Sequence, residues 1–108
     1  MLVKERKYKS MDKIKSDDLV LIQGFMINEL KLKGNDLLVY AIIYGFTQDG
    51  ENWFEGSRQY LAQWCNSSVN GISKNLATLV ERGLIEKKVV EINKVKLCHY
   101  RVLPVGRI

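Results

Sequence analysis

The sequence predicts an α+β fold: a winged helix-turn-helix, with a helical core and a small antiparallel hairpin as the wing. Three observations carry that expectation. Two amphipathic helical patterns, over 57–65 and 68–82, are separated by the turn-prone run Asn66-Ser67-Ser68. A glycine, Gly83, stands where the second pattern stops. Beyond it the apolar period changes from helical to strand-like over 84–90 and 95–102.

In the first pattern Ser57 suits an N-cap, because its hydroxyl can accept a bond from a free backbone N–H of the first turn. Tyr60, Leu61 and Trp64 then share one face, and small Ala62 lets a second helix cross closely. Ser68 is the expected cap of the next helix, whose Ile72, Leu76, Leu79 and Val80 form one apolar stripe. Leu84–Val90 and Val95–Val102 are rich in aliphatic and β-branched residues and read as strands. Glu91-Ile92-Asn93-Lys94 is the expected tip, with Asn93 best able to take positive φ. Pro104 cannot donate to a ladder and ends the second strand, while Trp53-Phe54-Glu55 is long enough for a third, short one.

Toward the N-terminus, residues 1–16 are basic and aperiodic and read as a flexible arm, leaving 17–104 as the domain and 105–108 as a tail. Leu19–Gln23 reads as a short strand or an extended segment packed on the core, and Phe25, Met26, Ile27 and Leu30 as a short helix. A longer helix opens at Gly34-Asn35-Asp36, with Asp36 favourable at the positive end of the dipole, and closes at Gln48-Asp49-Gly50. It is apolar nearly all round, so it is either central or shared with a second subunit. The shared reading places Leu38, Ile42 and Phe46 at an oligomer interface. Trp53, Trp64, Tyr40 and Tyr60 are expected in the core rather than as stacking platforms.

Charge is unevenly spread. Residues 1–16 hold six Lys/Arg against two acids, 17–65 three against seven, and 66–108 eight against three, for net values of +4, −4 and +5. The cations therefore gather on the arm, the second helix and the hairpin, the parts a winged helix turns toward phosphates. Lys87, Lys88, Lys94 and Lys96 mark the hairpin as a DNA-touching wing; an ordinary hairpin covering the core is the plainer alternative. On the second helix, Asn70 suits a bidentate contact with adenine and Lys74 a guanine or a phosphate. Ser68 and Ser73 suit phosphate oxygens at the helix N-terminus, and Arg58 a backbone contact. This helix is weakly basic for a reader of DNA, and Gly71 costs up to ~1 kcal/mol against Ala in a helix. Relaxed sequence preference is the expectation.

Other classes fit poorly. His99 is the single histidine, lies in an expected strand and has no nucleophile at a useful spacing, so no enzyme and no catalytic residues are expected. Cys65 and Cys98 lack metal spacing, so no metal or other cofactor is called for, and reduced thiols point to a cytoplasmic setting. No apolar run approaches the ~18–20 residues of a membrane span, and no membrane partner is expected.

The strings GFMINEL (24–30), KGNDLLVYAIIYGFTQDGE (33–51), GSRQYLAQWCNSS (56–68) and LVERGLIEK (79–87) resemble the N-terminal domain of replisome-organiser proteins. These are replication initiators of phages, prophages and plasmids of low-GC Gram-positive bacteria, related to DnaD-type primosome components. The resemblance covers roughly residues 18–88, and Asn35–Gly50 is its most distinctive stretch. It implies a winged helix, binding of origin DNA (double-stranded or single-stranded), self-association as a homo-oligomer and recruitment of a helicase loader. Members of that family usually continue through a linker into a C-terminal domain, so either the partner-recruiting work of such a domain is absent here or the 108 residues are a fragment. A small winged-helix transcriptional regulator and a protein–protein assembly module with little DNA affinity are the competing readings.

Overall fold

A computed structural model describes residues 13–104. Four helices and a hairpin follow in order: α1 (Gly24–Asn28), α2 (Gly34–Thr47), α3 (Arg58–Cys65), α4 (Val69–Glu81), β1 (Ile85–Ile92) and β2 (Val95–Val102). Helices α2, α3 and α4 pack on one another, and β2 closes the open side of α2. The winged helix-turn-helix is the fold observed.

Local chemistry sets the boundaries. The Ser57 and Ser68 hydroxyls accept bonds from the backbone N–H groups of Tyr60 and Gly71, both at 3.0 Å, and start α3 and α4. Such a cap contributes ~1 kcal/mol. Asn66 turns the chain between the two helices in the left-handed conformation, φ 49°. Gly83 ends α4 at φ 76°, where a side chain would be strained. The hairpin turn is tighter than the expected four residues: Asn93 and Lys94, with φ of 53° and 66°, make a two-residue loop. Positive φ at both central positions matches the twist of the flanking strands.

Helix α2 is apolar all round because it is central. Val39, Tyr40, Ala41, Ile42 and Ile43 are buried, in contact with elements on every side. The shared-helix reading is corrected on one residue: Ile42 is 3% exposed and belongs to the core of a single chain. Leu38 and Phe46 are half-buried, and Phe46 packs on Phe54 at 5.3 Å between ring centroids. The three do not form a surface stripe. Two polar bonds hold α2 in place: Asn75 Nδ2 donates to Asp36 Oδ1 at 2.7 Å, and the Val102 backbone N–H donates to buried Thr47 Oγ1 at 3.0 Å.

Three further expectations shift. Trp53-Phe54-Glu55 forms no full strand; Phe54 makes a single antiparallel bridge to Tyr100. Leu19–Gln23 forms no strand and lies on the surface, with Leu19 72% and Leu21 69% exposed. Only Val20 of that run packs on the core, beside a groove of about 320 Å³ lined by Tyr44, Phe46 and Trp64. Of the arm, residues 1–12 lie outside the described residues, as does the tail at 105–108. Ile14, placed in the arm by sequence, packs against the core, and its backbone N–H donates to Gln63 Oε1 at 3.1 Å.

Candidate nucleic-acid interface

Helix α4 buries Ile72, Leu76 and Leu79, which turns the opposite side outward. Asn70, Lys74, Ala77 and Glu81 recur at i, i+4, i+7 and i+11 and are all exposed. Val80, expected in the apolar stripe, lies outside it at 36% exposure, because it falls at the rim of a cleft. That cleft, about 400 Å³, separates the outer side of α4 from the wing. Its walls carry Arg58, Ser73, Ala77, Glu81, Lys87 and Tyr100.

Two of the expected residues are joined to each other. Arg58 Nη1 donates to Ser73 Oγ at 2.9 Å, linking the first turn of α3 to α4. The bond fixes the guanidinium at the cleft wall and leaves its other N–H groups to reach a phosphate. Ser68 spends an oxygen lone pair on the helix cap, yet its O–H remains able to donate. Gly71 also has a local reason: a Cβ there would lie 2.6 Å from Ser67 Oγ and 3.4 Å from Ser68 Oγ. The hydroxyls of Ser67 and of the cap residue Ser68 occupy the space that a side chain would need.

The four wing lysines do not form one patch. In the antiparallel register Lys87 opposes Tyr100, Lys88 opposes His99 and Glu91 opposes Lys96. Opposed residues share a face and neighbours alternate, so Lys87 and Lys96 lie on the face that carries Tyr100, and Lys88 lies on the other. Lys94 sits in the turn. Only Lys87 lines the cleft with α4; Lys96 lines a smaller recess between β2 and Gly56–Gln59. Lys88 is held elsewhere, its Nζ 4.3 Å from the centroid of the Trp53 ring, with Arg101 Cζ 4.4 Å from the same ring. Arg101 in turn pairs with Glu86. Trp53 is therefore no core residue but a half-buried indole on the outer face of the wing, a site the sequence reading missed.

The arrangement has the chemistry of an anion-binding cleft with a polar reading helix. Arg58, Lys74 and Lys87 supply positive charge, and Glu81 at the far end of α4 subtracts from it. A model of the helix-turn-helix domain family matches residues 30–85, from the loop before α2 to the first residue of β1. The chain belongs to that helix-turn-helix family. No curated protein matches the sequence. A helix-turn-helix domain implies DNA binding through its second helix, here α4. Among the described residues no helix is long and apolar enough to cross a membrane. Nor do His, Cys, Asp and Glu gather among them as a metal site would need.

Tyr100 links this site to pH. Burial pushes its phenol up to about 12; Cys98 beside it acts in the same direction, and Arg58 opposes both. A folded pKa above the ordinary value of 10.0 means that the folded state prefers the neutral phenol. That contribution is complete below about pH 10 and is lost as pH climbs toward 12. Thermal melts are expected to show wild type losing more stability than Tyr100→Phe over that interval, with parallel profiles below it.

Proposed function

We propose that this protein is the DNA-binding domain of a replication initiator of the replisome-organiser type. It lays α4 into the major groove of origin DNA with the wing's Lys87 face on the adjoining backbone. The cleft between α4 and β1, with Arg58 bonded to Ser73 at its wall, is the observation that carries this reading. Asn70, Lys74 and Ala77 are the residues turned toward base edges, with Ser68 and Ser73 toward phosphates. So few cations make binding weak and its sequence preference relaxed. The replication role, self-association and recruitment of a helicase loader rest on the resemblance over residues 18–88. A small transcriptional regulator is equally compatible with the helix-turn-helix match. Position of the gene beside that of a helicase loader separates the two.

The test of DNA binding is a fluorescence-anisotropy titration of random and origin-derived duplexes at several salt concentrations. Three phosphate contacts, by Arg58, Lys74 and Lys87, predict a log–log slope near −2.7, at roughly −0.9 per contact. A slope indistinguishable from zero would assign the domain to protein–protein assembly instead.

A further inference from the structure

Strand β1 is the outer strand of the sheet, since β2 lies between it and the Phe54 bridge. Among the described residues its other edge has no strand partner. Lys87, Lys88, Val89 and Glu91 along it are exposed, Val89 by 54%. Neither Lys87 nor Glu91 is spent on an ion pair with another described residue.

Backbone parity decides what that edge can accept. The two-residue turn makes Ile92 and Val95 a hydrogen-bonded pair. Ile92, Val90, Lys88 and Glu86 therefore direct their N–H and C=O toward β2, and Ile85, Lys87, Val89 and Glu91 direct theirs outward. An antiparallel copy of the same strand must match outward residues with outward residues. Centring the pairing on Lys87 or Lys88 opposes like ammonium groups across the axis. Centring it on Val90 leaves Glu91 against Val89. Centring it on Val89 brings Lys87 opposite Glu91 of the second copy, and Glu91 opposite its Lys87, with the two Val89 side chains meeting between them. In that register the edge lysines, which usually discourage strand addition, become the specificity element.

We infer that a second copy of this chain docks on the β1 edge, β1 antiparallel to β1 about a two-fold axis through Val89. The result is one four-stranded sheet in the order β2-β1-β1-β2. On the face that bears Tyr100, the pairs then run Lys96, Glu91, and Lys87 of the second copy, alternating in sign. The axis also relates the two α4 helices, as a protein reading two inverted half-sites requires. An ammonium has three donors, so the carboxylate of the second copy leaves Lys87 able to reach a phosphate. The inference does not depend on DNA binding, and its test contains no DNA.

Sedimentation of the full chain with Lys87→Glu, with Glu91→Lys and with an equimolar mixture of the two tests the register. Each variant alone opposes like charges twice and is expected to dimerise roughly tenfold or more weakly than wild type. The mixture restores both opposite-charge pairs and is expected to recover dimers at near wild-type affinity. A variant that merely failed to fold could not be rescued in this way, and circular dichroism of each checks that it folds. A wild type that stays monomeric, or a mixture no better than its components, overturns the inference.

Discussion

Reversing Lys74 and Lys87 together to Glu is expected to weaken duplex binding by roughly 30- to 150-fold, or about 2–3 kcal/mol. Lys87 lines the cleft from β1 and Lys74 is exposed on the outer side of α4, so a duplex seated against both elements loses a backbone contact on each. Reversal of Lys87 also adds a carboxylate to the cleft wall that already carries Glu81, which turns an already weak positive field negative at one end. Lys88→Glu is the internal control. Its side chain lies over Trp53 on the other face of the wing, and its loss is expected to leave duplex affinity nearly unchanged. Anisotropy titrations of the two variants at one salt concentration check both statements. A Lys88 effect as large as that of the double reversal would move the contact surface to the outer face.

Phe54→Ala is expected to destabilise the domain by about 3–5 kcal/mol, a large share of the 5–15 kcal/mol usual for a small domain. Phe54 is fully buried and packs on Phe46 and Tyr60, with ring centroids 5.3 and 6.2 Å away. It is also the residue whose backbone ties the 53–55 segment to β2, exchanging two hydrogen bonds with Tyr100. Its ring fills the space beside Gly56, where an added Cβ would approach Phe54 Cζ to 2.5 Å. Truncation therefore empties the junction of α2, α3 and the sheet. Denaturant melts check the magnitude; a loss under about 1 kcal/mol would mean that the junction collapses to fill the void.

The helices were legible because each carries its own signals. Ser57 and Ser68 cap, Gly83 stops, and the spacing of Ile72, Leu76 and Leu79 fixes the buried side of α4 without reference to anything distant. What lay between elements was harder to read. Trp53 looks like a core residue by composition, and only its place beside β2, across a bridge to a residue 46 positions along, puts it under Lys88 and Arg101. The sorting of the wing lysines was partly available. Lys87 and Lys88 are adjacent, and on any strand adjacent side chains take opposite faces. Lys96 falls on the Lys87 face with a turn of two residues or of four; the tighter turn, in which Lys94 adopts a positive φ that composition does not favour, changes only its partner, from Val89 to Glu91. Ile42 fell to the core because the packing around α2, not its hydrophobicity, decides which apolar residues remain at the surface.

The most direct measurement of the central claim is amide chemical-shift mapping of the isotope-labelled protein titrated with a short duplex. The account predicts perturbations concentrated at Asn70, Lys74 and Ala77 on α4, at Arg58 and at Lys87, with Leu19–Gln23 unmoved. Shifts confined to Leu19–Gln23 and the groove beside Tyr44 and Trp64, with α4 silent, would contradict it.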